Sequence, residues 1–191
     1  MSIRQGLLAL LAEQPRYGYQ LRAEFEARTG ATWPLNVGQV YSTLSRLERD
    51  GLVTATDGGD EGQIVYAITD EGRVAVEAWF ASPVERTSPP RDELAIKLAL
   101  AVTVPGVDVA RVVQQQRTAT LRALRDYTKV KARAGEEDLA WLLVVDALIF
   151  QAEAEVRWLD ACEERLARAG VSRVPVPSEQ ASVDVEPEVA R

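Results

Sequence analysis

A polar and cationic face on one predicted helix carries the side chains of this sequence best suited to recognise a ligand. At 100° per residue, the segment between Asn36 and Gly51 gathers its apolar side chains on one side; these are Val37, Val40, Leu44 and Leu47. The opposite side has no large hydrophobe and no acid, and it presents Gly38, Gln39, Ser42, Ser45, Arg46 and Arg49. Such amide, hydroxyl and guanidinium groups hydrogen-bond to base edges and phosphates. The other interpretation of this face is an ordinary solvated surface.

Local signals define this helix and the two before it. Asn36 is a favourable N-cap, Gln39 follows at the spacing of a capping box, and Gly51 provides a C-terminal stop. Upstream, the apolar spacing predicts a first helix that is stopped by Pro15 and a second from about Tyr19 to Ala27. The candidate face therefore lies on the third helix of the chain.

A β-hairpin is predicted directly after the third helix. Segments 52–56 and 64–68 have strand composition and are joined by a turn-forming stretch, and Thr69 then caps a fourth helix. Three helices, a hairpin and another helix are the order of a winged helix-turn-helix, in which the third helix enters the major groove and the hairpin, or wing, flanks it over the backbone. We expect a mainly α fold with a small β-hairpin.

Composition divides the chain further. The proline-rich segment 83–90 separates a winged helix-turn-helix domain, residues 1–82, from a helical domain, residues 91–170. Residues 171–191 contain three prolines, scattered acids and few large apolar groups, so a disordered tail is predicted.

The sequence contains no histidine and a single cysteine, Cys162. It therefore lacks the usual general base of nucleophilic catalysis and the commonest metal ligands, and we expect no enzyme, no cofactor and no metal site. No apolar run approaches the roughly 20 residues of a bilayer span. Glu13, Gln14 and Pro15 stand where a signal peptide would place small residues, so a cytoplasmic protein is expected.

A long last helix, from about Glu136 to Ala169, is predicted to pair two chains. Its apolar positions follow a three-four spacing that indicates a seam for another helix; the predicted dimer residues are Leu142, Val145, Ile149, Val156, Leu159 and Leu166. Its aromatic side chains indicate packing or, between paired helices, a cleft for a flat hydrophobic effector. The candidate effector contacts are Trp79, Trp141 and Trp158.

Three ordered segments resemble PadR-type transcriptional regulators. They are residues 7–21, which include Pro15-Arg16-Tyr17-Gly18-Tyr19-Gln20-Leu21, residues 38–53 and residues 66–72. Residues 91–98 and the long last helix more loosely resemble the larger subgroup with several C-terminal helices. The resemblance implies a homodimer that binds double-stranded operator DNA and represses nearby genes until a small, often aromatic, effector releases it.

Three tyrosines have two interpretations each. Tyr17 and Tyr19 flank the entrance of the helix-turn-helix, and Tyr41 lies at the edge of the core face of the third helix. A phenol can donate a hydrogen bond to a DNA phosphate or pack half-buried with its hydroxyl exposed. We include Tyr17 and Tyr41 among the predicted DNA contacts.

The wing departs from the PadR pattern, because Asp57, Asp60 and Glu61 replace the usual basic residues near its tip. Residues 1–80 contain seven basic and eleven acidic side chains. Carboxylates are repelled by phosphates, so we expect modest, salt-sensitive DNA affinity that depends on dimerisation. The alternative hypothesis is a winged-helix protein-interaction module that does not bind DNA.

Overall fold

The computed structural model describes residues 2–57, 63–85 and 91–170. In this part of the chain the helices are α1 (Ser2–Glu13), α2 (Gly18–Arg28), α3 (Val37–Arg49), α4 (Asp70–Ala81), α5 (Glu93–Ala101), α6 (Val109–Lys131) and α7 (Leu139–Arg168). The strands are β1 (Arg16–Tyr17), β2 (Val53–Asp57) and β3 (Ile64–Ile68), and a 3₁₀ turn over Glu136–Asp138 precedes α7. The predicted mainly helical fold with a winged helix-turn-helix is confirmed.

The three strands form an antiparallel sheet in the order β1-β3-β2. Strands β2 and β3 pair from Val53 opposite Ile68 to Asp57 opposite Ile64, which is the predicted hairpin. Strand β1 was not predicted, because two residues are too few to show an alternating pattern. It exists through its pairing with β3, which places Tyr17 opposite Val65.

Leucines of α1, α2 and α3 form the centre of the N-terminal core; Leu7, Leu8, Leu11, Leu21, Leu44 and Leu47 are all buried. The predicted core face of α3 is wrong at Val37, which is 42% exposed. Thr43 is buried instead, and its hydroxyl donates to the Gln39 carbonyl oxygen at 2.7 Å. The buried arc is centred on Val40 and Leu47, so Val37 falls outside it, while the satisfied hydroxyl lets Thr43 lie inside.

The described residues form two compact units, and their boundary differs from the predicted domain division. The first unit takes its residues from 2–57, 63–85 and 124–151, and the second from 91–123 and 152–170. Helices α6 and α7 each contribute residues to both units, and the predicted helical domain, residues 91–170, stays a prediction. Residues 83–85 of the predicted linker have no regular structure, whereas 86–90 and the predicted tail, 171–191, lie outside the described residues.

The apolar stripe of α7 packs inside its own chain. Val145, in the first unit, and Leu159, in the core of the second, are fully buried in the single chain, so their assignment to a seam between chains is wrong. Leu166 packs partly buried against the same second core, and the remaining predicted dimer residues are half-buried: Leu142, Ile149 and Val156. The three-four spacing indicates that a stripe is buried, but helices of the same chain supply its cover.

Candidate nucleic-acid interface

Helix α3 is held at its start by one side chain. The Asn36 side-chain oxygen accepts a hydrogen bond from the Gly38 N–H at 2.8 Å, as expected of an N-cap. In a capping box the Gln39 side chain would also accept a hydrogen bond from the backbone N–H of Asn36. Among the described residues at this helix start, that second hydrogen bond is not formed. The Gln39 side chain is exposed instead, and its amide is free to meet a ligand.

The end of α3 is joined to the start of α4. The Thr69 hydroxyl donates to the Gly51 carbonyl oxygen at 2.8 Å and accepts from the Gly72 N–H at 3.1 Å. A Cβ atom at Gly72 would lie 2.2 Å from the Leu52 carbonyl oxygen, so only glycine permits this approach. These contacts hold the C-terminal end of α3 against the first turn of α4.

The structure brings the predicted DNA contacts of α3 onto one exposed face. The polar and cationic positions occupy about a third of the helix circumference; they are Gly38, Gln39, Ser42, Ser45, Arg46 and Arg49. Tyr41 lies beside them and is 40% exposed, while Tyr17 is half-buried on β1. The face is therefore continuous and accessible from solvent.

The two arginines of this face differ in their ionic partners. The Arg46 Nε donates to the Ser42 carbonyl oxygen at 3.1 Å, and no described carboxylate lies within ion-pair distance of its guanidinium. Arg49 donates to Asp50 through Nε and Nη2, both at 3.2 Å, and Arg4 contacts the other oxygen of Asp50 at 2.9 Å. At the C-terminal end of the face, the Arg49 guanidinium is thus paired with Asp50, the C-cap residue of α3. Arg46 keeps its charge available to an anion.

Three tyrosines meet beside this face. Tyr17, Tyr19 and Tyr41 line a cavity of about 480 Å³ together with Gln63 and Ile64 of the wing. The Tyr41 ring packs on Gly18, where an added Cβ would lie 2.8 Å from the ring. Gln63 and Ile64 were not predicted as part of this site. The one sequence signal that favours the tyrosine cluster is Gly18, which stands between two tyrosines.

The acidic wing tip is only partly within the described residues. Asp57 ends β2 opposite Ile64, whereas Asp60 and Glu61 lie outside the described residues. Repulsion between the wing tip and DNA therefore stays a prediction.

A second, apolar cavity of about 450 Å³ lies among α1, α2, α4 and the loop after α2. Its aromatic walls are Phe25, Trp33, Trp79 and Phe80, and Arg28 is its one charged lining residue. The rings of Trp79 and Phe80 are 4.7 Å apart between centroids and tilted by 48°. Helix α3 contributes no residue to this cavity.

Two of the three tryptophans predicted to contact an effector, Trp79 and Trp158, line different cavities. Trp79 lines the apolar cavity, whereas Trp141 packs on Gly30, whose φ of +57° and missing side chain admit the ring. Trp158 lines a groove of about 230 Å³ within the second unit, beside Cys162. Burial raises the pKa of the Cys162 thiol, which favours its protonated form.

Metal binding and membrane crossing find no support in the described ranges. No group of three or more metal-ligating side chains was found there. None of the helices described combines the length and apolar character needed to cross a bilayer.

Comparison with known proteins finds two matched regions. Residues 7–78 match the "Transcriptional regulator PadR-like family", and residues 90–167 match "Virulence activator alpha C-term". A probable transcriptional regulator of Mycobacterium tuberculosis is 29% identical over 185 residues, which cover 87% of this chain and 98% of that protein. The negative transcriptional regulator PadR of Bacillus subtilis is 24% identical over 173 residues, covering 83% and 94%.

Solved structures share the fold. Bacillus subtilis PadR in complex with p-coumaric acid has a TM-score of 0.67 at 19% identity, with 87% of this chain and 99% of that chain covered. The same protein in complex with operator DNA has a TM-score of 0.63 at 21% identity, covering 84% and 96%. The Vibrio cholerae virulence activator AphA has a TM-score of 0.62 at 24% identity, covering 88% and 98%.

Proposed function

Because the chain belongs to the PadR-like family of transcriptional regulators, we propose that it is a sequence-specific DNA-binding repressor. It acts as a homodimer on double-stranded operator DNA and is released by a small hydrophobic or aromatic effector. Its site of action is the cytoplasm, where the DNA is.

The observation that carries the DNA-binding proposal is the exposed face of α3 with Arg46 unpaired by any described carboxylate. Arg46 and Gln39 have the donors and acceptors to read base edges in the major groove. Arg49, Tyr17, Tyr41, Ser42 and Ser45 position the helix on phosphates, and Gly38 lets the backbone approach the DNA closely. The operator complex of Bacillus subtilis PadR, which shares the fold, supports this role.

The homodimer is supported by apolar surface on α7 opposite the stripe that the chain buries. Leu139, Leu143 and Phe150 lie within about 40° on the helix wheel, and each is 63–65% exposed. A second copy would remove this face from water and present two α3 helices to the two halves of a pseudo-palindromic operator.

The effector proposal rests on the apolar cavity that includes Trp79. The fold neighbour PadR has been solved with p-coumaric acid, a small aromatic compound. An effector releases DNA only if it binds the DNA-competent and DNA-free conformations with different affinity, so operator DNA must weaken its binding by the same factor.

The test is a selection of bound duplexes from a random oligonucleotide pool with the full chain, followed by titrations at 50 to 200 mM salt. We expect an enriched, two-fold related motif whose affinity falls steeply with salt. The fragment upstream of the chain's own gene and an unrelated duplex are the comparison probes.

The runner-up function is a protein-interaction module, which the acidic residues of the wing and the Arg49–Asp50 ion pair favour. It predicts that the selection enriches no motif and that all duplexes bind equally weakly. That result would replace the repressor proposal.

A further inference from the structure

We propose that the apolar cavity lined by Phe25, Trp33, Trp79 and Phe80 takes an uncharged aromatic ligand and disfavours the corresponding carboxylate. This inference rests on the proposed function, because it names the ligand class of the cavity assigned there to the effector.

The walls of the cavity favour a flat apolar molecule. Its volume of about 450 Å³ lies in the range of small-ligand sites and has room for one or two aromatic rings. Phe80 is 70% exposed and Trp33 is 51% exposed, which is unusual for side chains of this size. An aromatic ligand between them would remove apolar surface from water and stack on the tilted rings.

The single cation at the cavity is already neutralised. The two terminal nitrogens of Arg28 donate to the two carboxylate oxygens of Glu13 at 2.5 and 2.7 Å, and its Nε donates to Glu24 at 3.2 Å. All three guanidinium nitrogens are thus engaged by two carboxylates of the protein itself. A bidentate pair of this kind is the strongest form of arginine–carboxylate contact.

A second arginine also holds Glu13 in place, because Arg16 donates a hydrogen bond to its carboxylate at 3.1 Å. The hydrogen bond from Arg28 is the main cause that lowers the pKa of Glu13 to about 2, so Glu13 stays ionised at neutral pH. A ligand carboxylate would have to displace Glu13 or lie beside two negative charges without a free cation. An ester or another uncharged group meets neither obstacle.

The experiment compares methyl p-coumarate with p-coumarate on the full-length protein by isothermal titration calorimetry. The two probes share the ring and the propenyl chain and differ in charge. We expect the ester to bind at least tenfold more tightly. Phe80→Ala, at an exposed position, should weaken ester binding about fivefold and thereby locate it in the cavity.

A charge variant tests the cause. Replacing both glutamates (Glu13→Gln with Glu24→Gln) frees Arg28 and should tighten p-coumarate binding at least tenfold while leaving ester binding within threefold. The matched control, Glu77→Gln with Glu164→Gln, removes the same charge at exposed positions that do not contact Arg28 and should change neither affinity.

Three results would overturn the inference: equal binding of the two probes, an unchanged p-coumarate affinity in the Glu13 and Glu24 variant, or no binding of either probe. The third result would also arise if a second copy of the chain filled the cavity. In that case Phe80→Ala would weaken the association, and light scattering would show a lower mass for this variant. DNA release is a separate measurement. An ester that binds in the cavity but leaves operator DNA bound contradicts the proposed effector role and leaves the ligand class standing.

Discussion

Helices α3 and α7 each bury one apolar stripe inside the chain, and their outward faces are opposite in character. The outward face of α3 is polar and cationic, with Arg46 and Arg49 exposed. The outward face of α7 is apolar, with Leu139, Leu143 and Phe150 exposed. One surface suits a polyanion, and the other suits a hydrophobic partner.

The difference teaches that the outward face, not the buried stripe, indicates what an amphipathic helix binds. It also separates the two interactions experimentally. Contacts between arginine and phosphate weaken as salt rises. The counterions that the arginine displaces from DNA then enter a more concentrated salt solution, so their release gains less entropy. Association through apolar side chains has little of this salt dependence.

The largest expected effect is on DNA binding. Replacing Arg46 and Arg49 by alanine removes four guanidinium groups from a dimer, each worth about 1–3 kcal/mol of recognition. Operator affinity should fall by about 1000-fold or more in fluorescence anisotropy, with an unchanged circular dichroism spectrum. The matched control removes two exposed arginines of α6, Arg122 and Arg125. Equal losses in both variants would mean that α3 is not the recognition helix.

The buried stripe of α7 should affect folding stability. Leu159 is fully buried in the core of the second unit, so Leu159→Ala should lower the free energy of unfolding by about 3 kcal/mol. Urea unfolding at several protein concentrations measures it. The loss should be the same at each concentration, and Val156→Ala, at a half-buried position, should lose less. A loss that grows on dilution would instead return Leu159 to a seam between chains.

The outward face of α7 should affect association. Replacing Leu143 and Phe150 by serine removes apolar surface from the proposed interface and should raise the dimer dissociation constant between tenfold and 100-fold, with little loss of monomer stability. Sedimentation equilibrium gives the dissociation constant. Val74→Ser, which alters a residue 64% exposed on α4, is the control. A stable dimer in the double variant would place the interface elsewhere.

The smallest effect concerns the charge cluster that joins α1 to β1 and α2. The pKa of Glu13 is lowered from 4.5 to about 2, chiefly by the hydrogen bond from Arg28. A lowered pKa in the folded state stabilises the protein above pH 4.5, and this contribution is lost as the pH falls through about 2. Because both side chains are 43–45% exposed, Glu13→Gln should cost about 1 kcal/mol or less at pH 7.

The measurement for this variant is the melting temperature from pH 7 to pH 2. The difference between the unmodified protein and Glu13→Gln should shrink below pH 4.5. If the difference in melting temperature stays constant over this range, the ionised Glu13 carboxylate does not stabilise the unit that contains α1, β1 and α2.

Features that depend on residues close together in the sequence were predictable from the sequence. The caps predicted at Asn36 and Thr69 accept backbone N–H groups at the starts of α3 and α4. The four N-terminal helices, the hairpin and the exposed residues of α3 follow from periodicities of 3.6 and 2, which operate over a few residues. The match of three segments to PadR-type regulators indicated the family from the same information.

Tertiary structure alone decided the contacts between residues far apart in the chain. It paired β1 with β3 and left Val37 exposed. It also formed the ion pairs of Asp50 with Arg4 and Arg49, and it buried Leu159 against helices of the same chain. It also placed Trp79 and Trp158 in different cavities. An apolar or charged side chain specifies that it needs a partner, but many residues of the chain can satisfy that need equally well. Which one does so is set by the packing of the whole unit, because burial and ion pairing depend on distance in space and not on separation along the sequence.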